Sequence, residues 1–389
     1  MQLKSGDMEE GKDPSSSSAA ISRGGHVRGL PHKMVQILVL FLFLCLSFSM
    51  VSIYMMKHYG KVLEPMKPSL ESCVEEDAAN DLEQWIKPPS NLMHAMTDTQ
   101  LIWRASFMPR VKKYPFKRVP KIAFMFLTKG PLPLAPLWEI FFKGNEGKFS
   151  IYVHSSPSFK ANFTAKSVFY KRQIPSQVAE WGKMSICDAE RRLLANALLD
   201  ISNEWFVLLS ESCIPLHNFT QIYTYIKRSK HSFMGSFDDP GPYGRGRYDP
   251  NMSPEVNITQ WRKGSQWFEV NRNLALYIVE DVIFYPKFME FCKPACYVDE
   301  HYYPTMLTIK AASHLANRSL TLVDWSRGGA HPATFGRSDI TEAFMKRLLE
   351  GHSCIYNGRN SSLCYLFARK FAPSALEPLI LLAPKYLGF

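Results

Sequence analysis

The chain has 389 residues, 46% hydrophobic, 13% aromatic and 21% charged, and 46 Lys and Arg against 35 Asp and Glu give a net charge of +11. That apolar content can bury a core in the ~270 residues after position 120, which sets the chain apart from a disordered one. A soluble protein this basic would suggest nucleic acid as partner; the start of the chain opposes that reading.

Residues 1–33 read as a disordered cytosolic tail, rich in Ser and Gly between Ser15 and Gly25. Residues 34–56 run uncharged and mostly apolar, enough at ~1.5 Å per residue to cross a ~30 Å hydrocarbon core once as a helix. The run continues into Tyr54, Met55, Met56 and Lys57, without small residues at a cleavage site, and is expected to be an uncleaved signal anchor. Arg23, Arg28 and Lys33 before it nearly balance Lys57, Lys61 and Lys67 after it, so loop charge does not orient it. Six Asn-x-Ser/Thr sequons follow the span, at Asn162, Asn218, Asn251, Asn257, Asn317 and Asn360, with Pro254 weakening Asn251. Seven of the eight cysteines also follow it. An oxidising lumen with disulfides suits both features, with reduced, buried cysteines in a cytosolic domain as the alternative. The expectation is a single-pass type II protein whose bulk is lumenal. Nucleic acid is then out of reach, and the phosphates of a nucleotide-sugar or acidic glycans replace it as anionic partners.

Residues 57–118, with prolines, an acidic stretch from Glu71 to Asp81 and weak periodicity, read as a stem. Residues 119–389 read as one domain. Ile122–Leu127 is an apolar run of strand length, Leu134–Phe142 has helical character, and Phe149–Val153 is a second strand. This order predicts a βαβ crossover and a largely parallel sheet. Ser185 and Asp188 look like a capping box opening a helix to Asp200, and Trp205–Leu209 is a third buried strand. Open α/β sheets bind ligands beyond the carboxyl ends of their strands, so Thr128, Lys129, His154, Ser210 and Glu211 are the first places to look for a nucleotide.

The second half carries the chemistry. Trp261–Val270 ends in a strand, and Leu274–Ile283 continues as a helix. Asp299 and Glu300 then sit among Tyr302 and Tyr303. A carboxylate among aromatics can have a raised pKa and act as a general base; equally, Asp299 can cap a helix with Glu300 and His301 in its first turn. Cys292 and Cys296 with His301 offer three zinc ligands where about four are needed, so a disulfide to a cysteine elsewhere is expected.

Trp181-Gly-Lys, Ala189 to Asn196, Leu208 to Leu216, Trp261 to Val270, Val298-Asp-Glu-His301, Asp324-Trp-Ser326 and Phe367-Ala-Arg-Lys-Phe371 occur in that order. Over about residues 120–372 the chain resembles the core-2/I-branching β-1,6-N-acetylglucosaminyltransferase family, most closely its plant branch. The resemblance implies a GT-A-like α/β fold, a Golgi address, a nucleotide-sugar donor (UDP-linked), a glycan or glycoprotein acceptor, and transfer with inversion. It implies Glu300 as catalytic base. Lys370, with Arg369 beside it, would neutralise the leaving diphosphate in place of a metal, and no Asp-x-Asp occurs in the chain. No metal and no cofactor beyond the co-substrate are expected. Arg347 is favoured over Arg337 as a further donor contact, and is otherwise a surface residue of a helix within 340–350. Thr128 and His154 complete the donor side, although animal members carry an acidic residue where this chain has His154. Trp325 and Trp267 are the expected acceptor-side aromatics, with a core tryptophan the plainer reading of Trp325. Arg245 and Arg247, in a Gly/Pro-rich segment, are acceptor contacts or ordinary turn charges. Two rivals remain: an inactive glycan-binding protein on the same fold, and a glycosidase using Glu211 as second carboxylate.

Overall fold

A computed structural model describes residues 31–59, 91–111, 113–293, 296–329 and 331–389. Most of the expected tail and stem, and Cys73, lie outside them. The first elements in chain order are α1 (His32–Tyr59), α2 (Asp98–Ser106), β1 (Lys121–Leu127), α3 (Ala135–Phe142), β2 (Phe149–His154), α4 (Met184–Leu198), β3 (Asn203–Ser210), β4 (Ile214–Pro215) and α5 (Phe219–Arg228). They are followed by β5 (Glu269–Asn271), α6 (Arg272–Val279), α7 (Phe284–Phe291), α8 (Tyr302–Ala311), β6 (Thr321–Val323), α9 (Glu342–Leu349), β7 (Cys354–Tyr356), β8 (Arg359–Ser361), β9 (Phe367–Arg369) and α10 (Leu376–Tyr386). Taken by itself, α1 is long and apolar enough to cross a membrane.

β1 reads as an unbroken apolar run because both faces of its sheet are covered. Successive side chains point to opposite faces. Ala123 and Met125 join Leu193, Leu194 and Ala197 of α4. Ile122, Phe124 and Phe126 join Trp138, Phe141 and Phe142 of α3. Phe124 meets Phe142 edge-on at 4.9 Å between ring centroids, and burying such a ring contributes ~1.5–3 kcal/mol. The sheet order is β2–β1–β3–β5, with β1 parallel to β2 and β3 and only β5 antiparallel, a mixed and largely parallel arrangement as expected. A second sheet, β4–β9–β6, runs beside it, and β7–β8 is a hairpin. Buried Glu269 of β5 connects the two sheets, one oxygen accepting from Leu320 N at 3.1 Å and the other from the Thr321 hydroxyl at 3.3 Å.

Four local expectations change. Residues 91–106 are not stem. Thr97 and Gln100 form a reciprocal capping box that starts α2, and Leu101 and Ala105, one turn apart, are buried in the core. Ser185 and Asp188 do not cap α4: Ser185 Oγ accepts from Glu180 N at 3.0 Å, and Asp188 accepts from the Tyr285 hydroxyl. Asp299 does not cap α8 either, because Val298–Glu300 forms a separate 3-10 turn and α8 has no side-chain cap. Cys292 and Cys296 pair with each other, since the chain turn after α7 brings their Cα atoms to 5.3 Å; Cys354 pairs with Cys364. Cys187 and Cys213 are buried free thiols.

Candidate active site

β1, β2 and β3 end level with one another: Leu127 is in register with His154 on one side and Ser210 on the other. β6 and β9 run parallel, so that Val323, leading to Trp325, lies beside Arg369, leading to Lys370. All five ends open on one cleft of about 2190 Å³. Thr128, His154, Glu211, Arg247, Trp267, Asp299, Glu300, Trp325, Arg369 and Lys370 line it, and Arg245 and Arg347 do not.

On the β1–β2 side the polar atoms are already engaged. The Thr128 hydroxyl accepts from Gly130 N at 2.8 Å and donates to Gly130 O at 3.0 Å, a local turn. His154 is buried, and its Nε2 accepts from Gln177 N at 3.4 Å with Arg192 at the same distance. Burial, and then the Arg192 charge, lower its pKa to about 4, so the ring stays neutral near pH 7. Asp98 of α2 takes two bonds from Arg192, each 2.7 Å, and one from Gln177 at 3.1 Å. Where the family resemblance leads one to look for an acid at position 154, the nearby carboxylate is Asp98, from a segment read as stem.

Arg369 and Lys370 are placed by β9. The Arg369 guanidinium lies 4.0 Å over the Trp267 ring, and its buried Nε has no hydrogen-bond partner. Trp267, 5% exposed and covered by that cation, serves to seat Arg369, which leaves little ring face for a sugar. Lys370 is partly buried; burial and the adjacent Arg369 lower its pKa, with Glu211 opposing. Neither cation has an ion-pair contact among the described residues, although the Glu211 charge acts on both; two adjacent cations facing a cleft suit a diphosphate.

The same cleft holds the Asp299–Glu300 turn, with Asp299 near enough to Arg369 for the two charges to act on each other. Gly264 N donates to Glu300 O at 2.8 Å, and a Cβ at Gly264 would collide with Gly235 O and Pro304, so only glycine permits this approach. Glu300 is half-buried, 3.2 Å from Arg247 and 4.0 Å from Lys263. Its neighbours are therefore cations. Tyr302 and Tyr303 turn inward to Asp281 and the Cys187 carbonyl. Burial acts on Asp299 instead, raising its pKa to about 7, with the Glu300 charge as second cause. Behind it Glu190 is fully buried; Gln266 donates to one of its oxygens at 2.8 Å, and burial, then Asp299, raise its pKa well above the usual range. His301, held neutral by burial with a pKa of about 4, sets its Nδ1 2.8 Å from Arg262 O and stacks on Trp261 at 4.6 Å.

Of the other expected residues, Trp325 is 52% exposed in the cleft, which excludes a core role. Arg245 is held by Asp238 through bonds of 2.8 and 2.7 Å and stays outside. Arg347 lies on the exposed face of α9 over Phe344. Asn162, Asn257, Asn317 and Asn360 are exposed, whereas Asn218 is half-buried and caps α5 through Gln221 N at 2.9 Å. Lys263 and Glu190 had been passed over. Both sit inside strings that carry the resemblance, Lys263 in Trp261–Val270 and Glu190 in Ala189–Asn196, and that was the available signal.

The cleft thus brings a carboxylate and two basic residues together at the strand ends of an α/β sheet. Residues 122–349 match the Core-2/I-Branching enzyme family. Over 300 residues the chain is 38% identical to Glycosyltransferase BC10 of Oryza sativa subsp. japonica, covering 66% of this chain and 74% of that protein. The chain belongs to the Core-2/I-Branching enzyme family and is a glycosyltransferase.

Proposed function

We propose that this glycosyltransferase is a Golgi type II membrane protein that moves a sugar from a UDP-linked donor to a glycan or glycoprotein acceptor, with inversion and without a metal ion. The observation that carries the reading is the meeting in one cleft of Glu300 with Arg369 and Lys370, brought from different sheets and loops. The acceptor hydroxyl attacks the anomeric carbon while Glu300 takes its proton. The bond to the nucleoside diphosphate breaks on the opposite face, and Lys370 and Arg369 meet the charge that develops there. A single displacement inverts the configuration. Arg247 and Lys263 hold the Glu300 carboxylate in place. The absence of Asp-x-Asp supports neutralisation by these side chains.

The test is a panel of nucleotide-sugars offered to the purified full-length protein with glycan acceptors. Release of nucleoside diphosphate coupled to a lengthened glycan is expected; acceptor cleavage would favour the glycosidase, and binding without turnover the inactive scaffold. Protease treatment of sealed vesicles tests orientation, since digestion of residues 57–389 without detergent excludes a lumenal domain.

A further inference from the structure

The segment Gly264-Ser265-Gln266-Trp267, which leads into β5, touches both halves of the chemistry above. At one end Gly264 N donates to Glu300 O at 2.8 Å, and at the other the Trp267 ring lies 4.0 Å from the Arg369 guanidinium. Three peptide units join these contacts, so the Cα atoms of Gly264 and Trp267 are no more than ~11 Å apart. All four residues line the cleft. In a single displacement the acceptor oxygen lies by the base and the diphosphate by the cations, with the transferred sugar between them. The segment therefore runs along the stretch that this sugar occupies.

Of its side chains, one is left to read a ligand. Gly264 has none, and a Cβ there is excluded by Gly235 O. Ser265 Oγ accepts from Trp267 N at 3.2 Å, and the Trp267 ring carries Arg369. Gln266 is half-buried, and its amide is held from behind: Nε2 donates to Glu190 Oε1 at 2.8 Å, and Glu190 is fully buried. A carboxamide has one donating and one accepting end. With one end on Glu190, the other has no partner among the described residues and is not sealed from solvent. A sugar hydroxyl both donates and accepts, so it pairs with whichever end is left. An amide fixed in advance by a buried anchor also gives up little rotamer freedom on binding, which favours a selective contact.

Resting on the transferase reading of Glu300, Arg369 and Lys370, we propose that Gln266 hydrogen-bonds a hydroxyl of the transferred sugar and so selects among donors. A site built to bond a substrate hydroxyl rejects the analogue that lacks it, because the polar group in the site is then left unpaired.

The test uses the full-length protein in detergent, Gln266→Ala and the similarly long Gln266→Met. The probes are UDP, UDP-glucose, UDP-galactose, UDP-xylose and UDP-N-acetylglucosamine, with deoxy forms of the donor that wild type uses best. Both variants should lower donor kcat/KM about 5- to 100-fold, while Kd for UDP and KM for acceptor change by no more than about twofold. One deoxy donor should lose a similar factor with wild type and no more than about twofold with either variant, since the contact it lacks is already gone. Equal losses from every deoxy donor in wild type and variants, or a loss carried by UDP affinity or acceptor KM, overturn the proposal. If Gln266→Ala does not fold, Gln266→Met decides alone. If wild type turns over none of these donors, the UDP-sugar transfer reading fails, and calorimetry decides on Gln266. Binding of a UDP-sugar that the variants weaken while UDP binding holds upholds the contact; equal binding by wild type and variants, or none by wild type, overturns it.

Discussion

Along the ends of β1 and β2, hydrogen-bonding capacity is spent on the fold: Thr128 on its own turn, His154 on Gln177, and Arg192 on Asp98. Around Glu300 and Arg369 less of it is spent, the one hydrogen bond to the Glu300 carboxylate among the described residues coming from Arg247 at 3.2 Å. Glu300 has two cations near it and no hydroxyl or amide donor among the described residues, and Arg369 keeps a buried Nε unpaired. Both regions line the same cleft at the ends of strands. Topology alone therefore marks where ligands gather, while the groups proposed to react keep more of their bonding capacity free than those along β1 and β2.

The comparison breaks most decisively at Glu300. Glu300→Gln should lower turnover ~10²–10⁴-fold, the worth of a general base, with melting temperature nearly unchanged. Retention of more than about a tenth of wild-type turnover would remove Glu300 from that role. Lys370→Ala should weaken nucleoside diphosphate binding about 10- to 100-fold, as expected for a hydrogen bond to a charged group. Calorimetry reads this directly; chelator should leave activity intact, and loss restored by manganese would refute the metal-free reading.

A third experiment separates the adjacent carboxyls by pH. Asp299 in the folded protein has its pKa raised from 3.8 to about 7. The native state thus binds the extra proton in that window, and the stability this confers is present below pH ~4 and lost as pH rises towards 7. Asp299→Asn has no such loss, so its melting temperature should gain on wild type between pH 4 and 7 and hold that gain above. A constant gap across this range would place Asp299 in water. The smallest effect is expected on the committed side: His154→Ala should cost stability yet change donor affinity by less than about threefold, ~0.7 kcal/mol. A larger change would mean that the buried ring reaches the donor.

Local pattern made much of the scaffold legible. The apolar runs at 122–127 and 205–209, the helical spacing of 134–142 and the string around Glu300 all mark elements the structure contains. Lys370 and Glu300 could be named from short strings because their neighbours in sequence carry the resemblance. His154 is understood only with Arg192 and with Asp98, which precedes it by more than fifty residues and lies in a segment whose prolines and charges hid a capped helix.

What the amino-acid sequence determined by itself is whatever depends on neighbours a few residues apart: the apolar N-terminal span, the strands buried on both faces, and the missing Asp-x-Asp. Only the tertiary structure decided which of these groups stay open to a ligand. It set Trp267 beneath Arg369 and turned Tyr302 and Tyr303 away from Glu300, leaving Arg247 and Lys263 to face that carboxylate. It also buried Asp299 and left its neighbour half in water. Burial and partner choice come from segments far apart in the chain that meet only when the sheets close, and in that low-dielectric setting they decide charge and reactivity more strongly than residue type does.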